Sequence, residues 1–281
     1  MRRQEAVASH TRRSDCTPVV HDDTRGRRRI RVAGTTFLVY QIHYGGASAR
    51  SLDPLYTPYR NPRLGPFFES AVIANLLAAG HHRAADYFGV FSWKCAAKIP
   101  LSSRDILARI GRDACSADVY SFFGRITEGR LWPLAERKHP GILDAAMALM
   151  DRVGIAGDLA RLDAPIIYQN HFLCRSSLYE RFWRDLLAPA LCAMQDPSDT
   201  ELQHLLQQDA RYRDPRMPVP RLVAIFGHPH YGMQPFICER LFSTWLGLNP
   251  SVRVRHVWRG RFVERDNVHH EPEMARAAAA P

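Results

Sequence analysis

Apolar and polar positions along the chain alternate between two periods, one suited to strands and one to helices. The run Thr35 to His43, flanked by Gly34 and Gly45-Gly46, is β-branched and aromatic and predicts a buried first strand. Leu52 to Gly65, rich in Pro and Tyr, predicts a loop, and Phe67 to Ala79 then shows helical spacing through Phe68, Val72, Ile73, Leu76 and Leu77. Tyr87 to Trp93 predicts a second strand, and Ala117 to Phe123 a third that starts at Asp118. Between them, Ser102-Ser103-Arg-Asp105 supplies capping chemistry for a helix over Ile106 to Ile110.

Gly141 to Val153 predicts an amphipathic helix, Ala164 to Phe172 a strand running into Asn170-His171, and Ser176 to Met194 another helix. Gln195 to Pro220 is polar and reads as a mobile loop or insertion whose one clear element is a short helix at Thr200 to Gln208. A helix over Pro235 to Leu246 and a strand over Val252 to Trp258 complete the pattern. Strands alternating with helices argue for an α/β sheet, in which ligands gather at the carboxyl ends of strands. The expected organisation is a basic disordered tail (1–33), one α/β domain (34–264) and a C-terminal tail (265–281).

Two segments set charge inside apolar runs: Asp86 to Lys94, and Gln234 to Trp245 with Glu239-Arg240 at its centre. Charges so placed require a partner or a ligand, so the two segments together point to a site.

Composition narrows the classes. The chain has 281 residues and is 46% hydrophobic, enough for one sizeable core. Its longest apolar stretches, such as Ala71 to Ala79 and Leu186 to Met194, fall short of the roughly 20 residues that span a bilayer. The N-terminus has no apolar segment of the secretory kind, and a cytoplasmic protein is expected. The six Cys show no paired spacing that would mark zinc or a disulfide framework. The formal charge is +10, but residues 1–31 hold nine Arg against four acidic residues, so half of it belongs to the tail. Such a tail suits peripheral association with an inner-membrane surface, while the core shows no basic patch of the kind nucleic acid needs, and no nucleic-acid partner is expected. Lys stands only at positions 94, 98 and 138. Gly-x-Gly-x-x-Gly, Walker, His-Glu-x-x-His and Gly-x-Ser-x-Gly signatures are absent. His228-Pro-His230 lacks a third nearby ligand in the sequence and reads as surface or hinge residues rather than a metal site.

The order of several short blocks resembles bacterial glycosyltransferases of the capsular-polysaccharide-biosynthesis type and their uncharacterised relatives. The blocks are the loop Ser51 to Asn61, a helix with an early Glu69, Asp86-Tyr-Phe-Gly89 with Trp93-Lys94, Asp118-Val-Tyr120, Asn170-His-Phe172 with Tyr179-Glu180, and Glu239-Arg240-Leu241. They span roughly residues 36 to 258. The resemblance implies a single GT-A-like domain, a Rossmann-like mixed sheet flanked by helices, that moves a sugar from a nucleotide-sugar donor to a glycan acceptor in surface or capsular polysaccharide synthesis. It implies Glu239 as catalytic base, Glu69, Trp93, Lys94, Asn170, His171 and Arg240 as substrate-binding residues, and Asp118 as ligand of a divalent metal, Mn or Mg. The chain departs from the pattern in having no Asp-x-Asp, which leaves a metal-independent donor site open, with Arg and Lys neutralising the diphosphate. It also has Ser92-Trp93-Lys94 where His, Tyr and Arg are common. The alternative class is a non-catalytic carbohydrate- or nucleotide-sugar-binding protein with the same fold.

Overall fold

The structure, a computed structural model, describes residues 17–44, 47–62, 64–99, 101–113, 115–122, 130–167, 170–215 and 217–256. Eight strands form one mixed sheet: β1 Val19–Asp22, β2 Arg28–Val32, β3 Thr35–His43, β4 Thr57–Arg60, β5 Tyr87–Ser92, β6 Val119–Ser121, β7 Phe172–Arg175 and β8 Val254–His256. Their order is β1-β2-β3-β5-β7-β6-β8, with β4 also paired to β3. β3 is the organising strand. Its first residues pair antiparallel with β2, its last residues pair parallel with β4, and on its other side Phe37 to Ile42 pair parallel with Tyr87 to Ser92 of β5. β7 runs antiparallel to both β5 and β6, and β8 runs parallel to β6.

β3 and β5 read as near-continuous apolar runs because both faces of the sheet are covered. On one face Leu38, Tyr40, Ile42, Phe88 and Val90 join the larger core; on the other Phe37, Val39, Tyr87 and Phe91 join the smaller one. The larger core takes residues from α2 (Glu69–Ala78), α5 (Leu131–Lys138), α6 (Ile142–Arg152), α7 (Ser176–Phe182), α8 (Ala188–Gln195), α9 (Thr200–Leu206), α10 (Val219–Phe226) and α11 (Gln234–Leu248). A π-helical segment, Trp183–Leu187, joins α7 to α8. The smaller core takes residues from α4 (Ser103–Arg112), capped by the Ser102 hydroxyl accepting from the Asp105 amide, and from the short α3 (Cys95–Lys98). A further turn, α1 (Ala47–Arg50), follows β3. Among the described residues no helix is long and apolar enough to cross a membrane.

The sequence expectations hold for β3, β5, α2, α4, α6 and α11 and need correction in four places. Residues 17–33, assigned by composition to the disordered tail, contain the hairpin β1–β2. Its signal is the alternation Arg29-Ile-Arg-Val32, in which Ile30 and Val32 are buried and the arginines are exposed, so Arg content hides a period of two. Residues 1–16 and 265–281 lie outside the described residues. The Pro-rich loop contains β4. Residues 164–167 are not a strand, because Ser243 of α11 binds both the amide and the carbonyl of Ile167, at 2.9 and 3.2 Å; the strand begins later, at Phe172. The segment 195–220 is packed rather than a loose insertion: Leu202, Leu206 and Ala210 are fully buried, and α10 begins inside its end.

Gly89 sits where β5 runs beside β7. A Cβ there would meet Leu173 Cδ2 at 2.7 Å and the Phe172 carbonyl oxygen at 3.0 Å. Gly89→Ala is therefore expected to cost about 2 kcal/mol through forced displacement of β7, read as a lower urea midpoint at unchanged slope.

Candidate functional site

The two edges of the sheet carry different chemistry. At the amino ends of β3, β5 and β6, polar groups are used up in fastening. Asp86 accepts from the Thr36 amide at 2.8 Å and hydroxyl at 2.7 Å, tying β5 to β3. Asp118 accepts from the Arg253 amide at 3.0 Å and from the guanidinium groups of Arg253 and Arg175, tying β6 to the loop before β8 and to the end of β7. Burial pushes the Asp118 carboxyl up, but the Arg253 hydrogen bonds, joined by Arg175, outweigh it and hold it below the usual value. Glu180 pairs with Arg83 at 2.5 Å and His82 at 3.3 Å. A hollow lined by His21, Arg29, Ile30, Arg31 and Thr36 lies beside this edge and includes none of the expected site residues.

The carboxyl edge gathers groups that need a ligand or one another. Glu69 opens α2, and the residue before it, Phe68, holds φ 45° and ψ −126°, a backbone state that an aromatic residue keeps only under constraint. The constraint is visible in the edge-on contacts of Phe68 with Phe226 and Tyr231 at 6.1 and 6.3 Å. Burial pushes the Glu69 carboxyl up and the Glu239 charge adds to this, against a backbone hydrogen bond and the charges of Lys98 and Lys94. Burial pushes up the hydroxyl of the half-buried Tyr44 and the Glu69 charge adds to this, against a hydrogen bond to Asn61.

Lys94 follows β5, its Nζ 5.3 Å from the centroid of the Trp93 ring, and Lys98 ends α3 one turn later. His171 precedes β7; because β7 is antiparallel to β5, its amino end falls on the carboxyl edge. The ring is fully buried, edge-on to Phe91 at 6.2 Å, and among the described residues neither nitrogen has a hydrogen-bond partner. Burial, with the Lys98 charge, lowers its pKa to about 3, so it is a neutral imidazole. Asn170 beside it takes a left-handed φ of 55°, and its carbonyl accepts from the Phe172 amide at 2.9 Å. Glu239, on α11, lies 3.6 Å from the buried Arg240 guanidinium, which donates to the Phe236 carbonyl at 2.6 Å. Burial and Arg240 lower the pKa of Lys138, at the end of α5, while Glu239 opposes them.

Of the residues expected from the sequence, Glu69, Trp93, Lys94, His171 with its neighbour Asn170, Glu239 and Arg240 thus belong to the carboxyl edge or to groups coupled to it. Asp118 does not: it stands on the opposite edge with its oxygens held by two arginines, and the metal role expected for it does not fit. His228 and His230 stack at 4.0 Å, with His230 Nε2 bonded to the Gln207 carbonyl at 2.9 Å. Among the described residues, no group of three or more His, Cys, Asp or Glu is arranged to hold a metal ion. Sequence reasoning missed Tyr44, Lys98 and Lys138. For the lysines the signal was their rarity in an Arg-rich chain, since Lys94 and Lys98 act on Glu69 and Lys138 feels the charge of Glu239.

No family model and no curated protein matches the chain. Among solved structures it is similar to the apo form of the WbbM bifunctional glycosyltransferase, at 13% identity and a TM-score of 0.39, over 78% of this chain and 44% of that one. The chain therefore spans less than half the length of that protein.

Two outcomes follow from the contrast between the edges. Asp118→Asn should cost about 1–2 kcal/mol, a partly screened cluster of charge-assisted bonds. Because the folded carboxyl titrates below its unfolded value, this contribution is present above the unfolded pKa and lost as pH falls through the folded one. Wild type and variant should therefore converge in urea titrations carried out at increasingly acid pH. At the other edge, Glu239→Gln removes a negative charge beside Glu69, so the Glu69 carboxyl should titrate lower, read by carbon NMR of labelled Glu with Glu69→Gln as the assignment control.

Proposed function

We propose that this chain is a glycosyltransferase whose nucleotide-sugar donor seats at the carboxyl edge of the sheet, with a glycan hydroxyl as acceptor in surface or capsular polysaccharide synthesis. The observation that carries the reading is the convergence there of two carboxylates, two lysines and a buried neutral imidazole, on the edge where open α/β sheets bind ligands. The collinear sequence blocks agree with it.

The chemistry asks for two things. As the bond from the sugar to the diphosphate breaks, negative charge grows on the leaving oxygen, and Lys94 and Lys98 answer it as compact point charges. As the acceptor oxygen bonds to the sugar carbon, its proton passes to a carboxylate of the Glu69–Glu239 pair, one of which is already held toward the useful range by burial and by its neighbour. Trp93 offers an aromatic face to the base or sugar. Asn170 serves as a hydroxyl-binding group with the buried neutral imidazole of His171 beside it, and Arg240 orients Glu239. No step is assigned to a metal, because Asp118 stands on the wrong edge to serve one.

Thermal unfolding of the whole chain, scanned against nucleoside diphosphates and nucleotide sugars with and without manganese, tests the donor site. A ligand at a hundred times its Kd should stabilise by about 2.7 kcal/mol, and Lys94→Ala should weaken that nucleotide about tenfold through loss of a charge-assisted contact. No response to any nucleotide would shift the reading to the non-catalytic glycan-binding class. Once a donor responds, Glu69→Gln and Glu239→Gln should retain its binding, and at least one should lower transfer by about a hundredfold or more.

A further inference from the structure

Helix α10 reverses the pattern of an ordinary surface helix. Only Leu222 is buried; Ile225 and Phe226 are half-buried, while Val219, Pro220, Arg221, Val223 and Ala224 are exposed. At 100° per residue the exposed residues form one outward arc running from Val219 and Val223 through Pro220 and Ala224 to Arg221, an apolar face with a cation on its flank. Val219 and Val223 are 53% and 46% exposed. The other large exposed apolar residues described are Met147 and Leu248, which stand singly, and Val19 and Val20, which point to opposite faces of β1.

We propose that α10 docks onto an anionic lipid bilayer, its apolar arc in the headgroup boundary and its arginines on the lipid phosphates. Two observations select this occupant. The exposed side chains of the arc offer no hydrogen-bonding group except Arg221, and Pro218 and Pro220 remove two amide donors from the outer end of the helix, so entry into the interface desolvates little that is polar. Arg211 and Arg213 are exposed in the loop leading into the helix, Arg213 bridged to Asp209, and add cationic groups to the segment that carries Arg221. The inner side of α10 is fastened by Phe226 against Phe68 and Tyr231, at 6.1 and 5.5 Å, so docking would hold the carboxyl edge beside the membrane. This surface does not depend on the transferase reading.

Flotation of the full chain with vesicles tests it. Binding is expected to mixed phosphatidylglycerol–phosphatidylcholine vesicles, to weaken with added salt, and to fall at least tenfold in Val219→Asp/Val223→Asp and several-fold in Arg221→Glu. Replacing Arg2, Arg3, Arg12 and Arg13 by Gln should leave most of it, which separates α10 from the N-terminal arginines. Val219→Ser/Val223→Ser serves as a second variant, with unchanged thermal midpoints confirming the fold. The proposal is overturned if wild type fails to float, if the valine variants float as well as wild type, or if wild type is a dimer that those variants dissociate.

Discussion

The structure rests on the parallel pairing of β3 with β5. Six successive residues of each strand are in register, and both faces are buried, so a slip of one residue would send Leu38, Tyr40 and Ile42 to the wrong core. Asp86 fixes the pair at its start through two bonds to Thr36, and Gly89 lets β7 close against it. With that register set, His43-Tyr44 and Ser92-Trp93-Lys94 leave the sheet side by side, and α2 and α11 bring their carboxylates to the same edge.

The electrostatic contrast between the edges follows from this frame. At the amino edge, Asp86, Asp118 and Glu180 each meet donors from a neighbouring strand or helix, so their charge is spent on holding elements together. At the carboxyl edge the shifts run in opposed directions: one carboxyl is pushed up by burial and by a second carboxylate, an imidazole is kept neutral by burial, and a lysine is lowered by burial and an arginine. Such opposed shifts within a small region are what acid–base chemistry requires. The strained Phe68 belongs to the same arrangement, because its ring is held by Phe226 and Tyr231 while its backbone opens the helix that carries Glu69.

Much of this was legible in the chain, for local reasons. Apolar runs long enough to be buried on both faces marked β3 and β5, a Ser-to-Asp cap marked α4, and helical spacing marked α2, α6 and α11. Lys94 and Glu239 stood out as charges set in apolar runs, whereas Glu69 and His171 entered through the resemblance of their sequence blocks. The hairpin β1–β2 was hidden by Arg content, although its alternation was present, and residues 164–167 looked like a strand because nothing local reveals that Ser243, far along the chain, takes the hydrogen bonds of Ile167.

Asp118 and His171 show where local information ends. In the fold both precede a strand by one residue, although the sequence pattern set Asp118 at the start of a strand and His171 toward the end of one. β6 runs parallel to β5, so Asp118 falls on the amino edge among arginines; β7 runs antiparallel, so His171 falls on the carboxyl edge beside Lys98. The sequence by itself determined the segments whose signal is local, β3, β5, α2, α4, α6 and α11, and marked candidate residues within them, because such signals depend on neighbours within a few positions. Strand direction, and with it the edge each residue reaches, is decided by hydrogen bonds between segments tens of residues apart, and only the tertiary structure contains them.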